Sequence, residues 1–193
     1  MKLVINLVLL ALIGGLGFML YKGFSEPINF RSEKAIRKEA VRDKLVNIRT
    51  AQELYRGVTG EFAGNFDTLR HVLNTGKFQL INVQGDPDAI DNPEAVIYDT
   101  IYTPAIDSVR TLGIVLESME VIPYTDGKTF DIAADTLTYQ STVVPVVEVG
   151  TTWDVFMGKY ADAKYRAYDS GYDPKARMKF GSMTAPQLGG SWD

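Results

Sequence analysis

Few residues in this 193-residue sequence have the types and spacing to do chemistry: one histidine, a cluster of aspartates, a basic stretch and a group of tyrosines. His71 is the sole histidine, so a histidine metal cluster or a Ser–His pair has to rest on it alone. Asp67 stands one helical turn before it and offers a local Asp–His hydrogen bond. A surface or boundary histidine is the simpler reading. Asp86, Asp88 and Asp91, with Asn92 and Glu94 close by, are the densest set of oxygen ligands. Calcium takes such ligands, but "DPDAIDN" misses the EF-hand spacing and Pro87 restrains how its neighbours converge. That segment reads as a solvated acidic loop, with calcium as the alternative. No G-x-S-x-G elbow, phosphate loop or G-x-G-x-x-G fingerprint occurs. Without cysteine there is no disulfide, thiolate zinc site or thiol nucleophile. The expectation is a non-enzymatic protein with no cofactor and no metal.

Two further groups point to surfaces. Arg31, Lys34, Arg37, Lys38 and Arg42 would each gain about 1 kcal/mol beside anionic lipid headgroups. Glu26, Glu33 and Glu39 interleave with them, which favours a mixed-charge solvated face. Tyr160, Tyr165, Tyr168 and Tyr172 suit an interface or sugar platform, or ordinary partial burial. Net charge is −4 and the sequence pI about 5.1, which argues against a nucleic-acid binder, since such a protein needs basic surface to neutralise phosphates. An apolar content of 46% with 11% aromatics is that of a folded chain.

The elements that would carry these residues begin with "LVINLVLLALIGGLGFMLY", an apolar run from Leu3 to Tyr21 with Asn6 as its one strongly polar side chain. About 20 such residues span a bilayer's hydrocarbon core. Tyr21 and Lys22 suit the interface beyond it. Ala11, Gly14 and Gly15, with Gly17, thin one face so that another membrane helix can pack closely, although small residues are common in membrane spans in any case. Gly23-Phe24-Ser25 fits a signal-cleavage pattern, but the apolar run exceeds a usual signal core, so a retained anchor is expected. Lys22 and the cations after it would place the downstream domain in the cytoplasm by the positive-inside rule. The short leader carrying Lys2 resembles an uncleaved secretion signal, and a single-pass inner-membrane protein with a periplasmic domain is the preferred orientation.

Pro27 is expected to end the membrane helix, because proline disfavours α conformation in the residue before it. A second, amphipathic helix then runs from about Asn29 or Ser32 to about Val58, roughly 40 Å long. Val41, Leu45, Ile48, Gln52 and Tyr55 follow 4-3-4-3 spacing, and this stripe must bury against the chain's own sheet or another copy. Gly57 and Gly60 punctuate its end. "NFDTLRHVLNTG" predicts a short helix capped by Asn65 or Asp67, and "KFQLINV" a strand. "AVIYDTIYT", "GIVLESMEVIPY" and "TVVPVVEVG" are β-rich, and Asp126-Gly127 is the strongest hairpin signal. Pro145 belongs at a strand edge or bulge. "TTWDVFMGKYADAKYRAY" is a helix candidate interrupted by Gly158. The class is α+β: a transmembrane helix and a long amphipathic helix packed on a small antiparallel sheet. The expected divisions are an anchor at 1–22, a spine helix at 23–60, an α+β domain at 61–180 and an irregular tail at 181–193.

The apolar N-terminal helix followed by "KLVNIRTAQELYRGVTGEF" resembles the spine of type IV pilins and pseudopilins. That resemblance implies a membrane helix continuing into an amphipathic half that packs on an antiparallel sheet. The chain departs from the pilin pattern, which has a cleavage site before the apolar segment and a glutamate just inside it. "EPINF", "KLVNIRTAQELY", "GEFAGNFDTL", "VIPYTDGKTFDIAA", "VPVVEV" and "KFGSM…GGSWD" resemble an uncharacterised family of single-span bacterial envelope proteins. The layout implies a membrane-anchored structural subunit, in contact with membrane lipid and with copies of itself or other envelope subunits. A displayed ligand- or surface-binding module is the alternative.

Overall fold

A computed structural model describes residues 1–84 and 97–192. One helix, α1, runs unbroken over Lys2–Thr59. Proline at 27 therefore does not divide the chain into two helices. Its missing N–H releases one carbonyl, that of Gly23, at a cost of about 3 kcal/mol. The path through it is held from outside: Ser25, Glu26 and Pro27 are half-buried against the domain. Glu26, the residue that proline disfavours in α conformation, accepts from Tyr168 Oη at 3.4 Å and pairs with Lys164 at 3.7 Å. Gly60 closes α1 in the left-handed conformation at φ 85°, its N–H donating to Arg56 O at 2.8 Å. Gly57 is not a stop. It lies inside the helix, where a Cβ would come within 2.9 Å of the Phe78 ring.

The other elements wrap the second half of α1. Helix α2 (Phe66–Thr75) is capped by Asn65, whose Oδ1 accepts from Thr68 N at 2.7 Å. Strands β1 (Lys77–Gln84) and β2 (Ile97–Pro104) form a separate antiparallel ribbon, and α3 (Ala105–Thr111) follows. Strands β3 (Asp131–Tyr139), β4 (Thr142–Thr152) and β5 (Arg177–Gly181) make an antiparallel sheet in the order β3-β4-β5. Between β4 and β5 the chain forms α4 (Trp153–Met157) and two 3₁₀ segments, Gly158–Tyr160 and Ala163–Ala167. The chain is thus α+β, a long helix with an apolar N-terminal half and a small antiparallel sheet.

Three local expectations change. The turn at Asp126-Gly127 forms, with Ile122 N donating to Lys128 O and Phe130 N to Glu120 O, but only one bridge, Val121↔Thr129, develops. "GIVLESMEVIPY" is irregular because Leu116, Met119 and Ile122 drop into the core instead of alternating across a sheet. The hairpin proper closes at Gln140-Ser141, both at positive φ (47° and 68°). Neither residue favours that region; the β3–β4 ladder imposes it. Pro145 sits opposite Thr136 and beyond the reach of β5, which pairs only with Glu148–Thr152, so no ladder bond is lost on its open side. "TTWDVFMGKYADAKYRAY" becomes one short helix and two 3₁₀ turns, broken where Gly158 adopts φ 57°.

The core forms around the α1 stripe. Val41, Leu45 and Ile48 are fully buried and Tyr55 is 9% exposed. They join Leu69 and Leu73 of α2, Val109 of α3, Val147 and Val149 of β4, and Phe180 of β5 in one cluster. The stripe is covered within its own chain. Gln52, also at 0% exposure, explains why a polar residue occupies the stripe. Its Nε2 donates to Ala63 O and its Oε1 accepts from Ala63 N, each at 2.9 Å. One amide thereby satisfies both backbone groups of a buried turn and docks "GEFAG" onto α1. Gln52→Ala, which orphans two backbone groups at about 1–3 kcal/mol each, is expected to lower stability by about 3 kcal/mol in urea unfolding. Gln52→Glu, which turns the donor towards Ala63 O into a second acceptor at a fully buried site, is expected to cost at least as much at neutral pH.

Candidate functional site

His71 is exposed on α2. The Asp67–His71 hydrogen bond is replaced by another pair: Asp67 accepts from Arg70 Nη1 at 3.0 Å, and Arg70 also reaches Glu120 at 2.7 Å. Arginine three residues on presents a full charge within reach, which the imidazole does not match. Asp86, Asp88 and Asp91 lie outside the described residues. Among the described residues, no group of three or more His, Asp or Glu is arranged to hold a metal ion. Ala11, Gly14 and Gly15 are exposed, and a Cβ added at either glycine would meet no atom within 4 Å. Ala11 and Gly15 floor a shallow apolar depression lined by Leu7, Leu12 and Met19.

The tyrosine group does converge, on a residue that sequence spacing did not single out. Phe30 is fully buried where α1 enters the domain. Tyr165 stacks on its ring at 5.0 Å, Tyr172 at 5.1 Å and Tyr160 at 5.8 Å meet it edge-on, and Tyr168 lies tilted at 6.4 Å. Trp153 adds an edge contact to Tyr172 at 6.0 Å. Offset and edge-to-face pairs of this kind add about 0.5–1.5 kcal/mol each beyond the area they bury. The sole sequence signal for Phe30 is an aromatic just past a proline, too weak to place it at the centre of four rings from a segment 130 residues away.

The basic stretch is used for ties between α1 and the same segment. Lys34 Nζ donates to Asp169 Oδ2 at 2.6 Å and lies over the Trp153 and Tyr172 rings. Arg31 donates to Tyr168 O, and Arg37 bridges Glu33 and Phe156 O. Arg42 pairs with Glu39 and Asp43. Arg31, Lys34, Arg37 and Arg42 are therefore engaged within the chain and do not form a free headgroup-binding face. Lys38 is half-buried with no carboxylate partner among the described residues. The electrostatics follow. The Lys34 ammonium, helped by the Gly171 N–H, holds the Asp169 carboxyl below its ordinary value of 3.8 against an opposing effect of burial. Burial pushes the Tyr172 phenol up to about 12, with Asp154, Asp162 and Asp173 adding to the rise. Its hydroxyl stays protonated and donates to Tyr160 O at 2.7 Å.

Just before this aromatic clamp, Lys22, Ser25, Glu26 and Asn29 of α1 face Lys159, Tyr160 and Tyr165 across an open cleft of about 320 Å³. The spacing i, i+3, i+4, i+7 puts the four α1 residues on one face. The cleft opens directly after the apolar run, and it is the candidate site that the fold assembles from both ends of the chain. Lys159 was not among the residues expected to matter, since no local pattern ties it to position 22. No family model, curated protein or solved structure matches the chain.

Two pH effects are expected. Because the folded-state pKa of Asp169 is depressed, its contribution is present above pH 3.8 and is lost as pH falls further. Asp169→Asn should remove about 0.5–1 kcal/mol at pH 7 and flatten the acid limb of a stability–pH curve. Because the folded-state pKa of Tyr172 is raised, its contribution is present below pH 10 and disappears as pH rises towards 12. Tyr172→Phe should lose about 1 kcal/mol at neutral pH and show less alkaline destabilisation, read by thermal melts between those values.

Proposed function

We propose that the chain is a single-pass, membrane-anchored, non-enzymatic structural subunit of a bacterial envelope assembly, pilin-like in layout. The observation that carries this reading is the change of environment along one unbroken helix. From Lys2 to Phe24 every residue is exposed, although the sequence there is apolar; from Phe30 onward one face is fully buried in the domain. None of the described residues covers the first half, and water is a poor solvent for it. By length and composition it is suited to cross a bilayer. The second half then acts as the spine on which the domain is built.

Self-association in this reading runs through the span and not through the stripe. Val41, Leu45, Ile48 and Tyr55 are occupied inside the chain, which leaves the thin Ala11/Gly14/Gly15 face for close helix packing. The preferred location is the inner membrane, with the domain on the periplasmic side and the short N-terminal leader in the cytoplasm.

Alkaline carbonate extraction tests the anchor. Full-length protein should stay with the membrane pellet, and a variant lacking residues 1–24 should be released as a folded, soluble domain. Release of the full-length protein would sink the proposal. Gly15→Ile should lower any dimer fraction in detergent without changing the domain's melting temperature. Protease accessibility in spheroplasts decides the side.

A further inference from the structure

We infer that the cleft between Lys22, Ser25, Asn29 and Lys159 binds the phosphate of an anionic phospholipid headgroup. This rests on the membrane reading above and gives that anchor a specific lipid partner. The first ground is position. Because α1 is continuous, the depth of each residue follows from a rise of 1.5 Å. If Tyr21 ends the hydrocarbon segment, Lys22 to Asn29 rise through about 10 Å beyond it, which covers the headgroup layer. The 3₁₀ segments that carry Lys159 and Tyr165 lean on α1 at this level and close the cleft from the side.

The second ground is chemical. Lys34, Arg37, Arg42, Arg70, Arg166 and Lys179 are each matched by a carboxylate. Lys22 and Lys159 have none among the described residues. Unlike other cations without a carboxylate, such as Lys38, Lys128 and Lys175, they line one cleft beside the apolar run. Lys22 lies over the Phe18 ring at 5.4 Å and Lys159 over Tyr160 at 4.9 Å, contacts that steady an ammonium without using its N–H groups. The Ser25 hydroxyl and the Asn29 amide likewise have no side-chain hydrogen bond among the described residues. The cleft's one carboxylate, Glu26, is already answered by Lys164 and by the Tyr168 hydroxyl. The unspent groups are thus two cations, a hydroxyl and an amide, converging on one space. A cation has nothing there to bind it. An acceptor-rich anion does, and phosphate accepts from all four. The Tyr160 and Tyr165 rings beside them suit the glycerol and upper acyl region of a lipid better than a fully hydrated ion.

The test uses full-length protein in neutral detergent micelles doped with phosphatidylglycerol, with phosphatidylcholine, or with inorganic phosphate alone. Retained lipid is read by native mass spectrometry and stabilisation by thermal melts. Phosphatidylglycerol should be retained over phosphatidylcholine, and it should raise the melting temperature. Lys22→Gln combined with Lys159→Gln should cut that retention by about thirtyfold, while Lys128→Gln, far from the cleft, should not. Equal retention of the two lipids, or unchanged retention in the double variant, would overturn the inference. Equal stabilisation by inorganic phosphate would overturn the lipid assignment in favour of a free-anion site. Carbonate extraction separates the two readings: full-length protein that leaves the membrane removes both, and protein that stays without lipid selectivity removes only this one.

Discussion

The structure depends on the continuity of one helix through a proline. If α1 broke at Pro27, the apolar half and the domain would be joined by a hinge, and nothing on one side would fix anything on the other. A proline in a helix interior costs about 3 kcal/mol and removes one hydrogen bond. Here its neighbours are held on the outside, by Tyr168 and Lys164 on Glu26, and immediately afterwards by Phe30 inside four aromatic rings. The burial of Phe30 is worth about 1.5–3 kcal/mol and each aromatic pair adds about 0.5–1.5 kcal/mol, which together offset the defect. The proline is tolerated because the domain begins there.

The C-terminal segment from Trp153 to Tyr172 does the holding. Its rings close on Phe30, its carbonyls accept from Arg31 and Arg37, and Asp169 takes Lys34. At the far end of α1 the docking is of another kind, with Gln52 pinning the turn at Ala63 and Gly60 ending the helix. Between the two clamps the stripe of Val41, Leu45 and Ile48 supplies the apolar burial. Polar ties at both ends fix the register of the domain along α1, and the apolar middle stabilises it without specifying register. The apolar half of α1 and the folded domain thereby share one continuous helical axis.

Gly181 illustrates how tightly the sheet is built where it meets the tail. It sits at φ 77°, and a Cβ there would lie 2.0 Å from Val147 O. At that point β5 ends, and the Gly181 N–H donates back to Gly189 O while Phe180 bridges to Gly190. The C-terminal residues are thus bonded along the end of the sheet, and irregular backbone here is compatible with defined packing.

Much of the chain was legible from residue order. The apolar run, the 4-3-4-3 stripe, the Asn65 cap, the Gly60 stop and the strands at 77, 97 and 142 all follow from local periodicity and capping chemistry, which act over a few residues. Where sequence reasoning failed, distant parts of the chain decided. Pro27 stayed helical because segment 153–172 packs beside it. Gln140-Ser141 turned, and Asp126-Gly127 did not grow into a hairpin, because ladder pairing and core filling outweigh turn propensity. Arg31, Lys34 and Arg37 looked like a solvated face until carbonyls and a carboxylate more than a hundred residues away were brought to them. The cleft at Lys22 needed Lys159, and no local pattern links those positions. Sequence alone determined which helix faces are apolar and where elements start and stop; only tertiary structure decided which charges are spent, because pairing depends on distance in space and not along the chain.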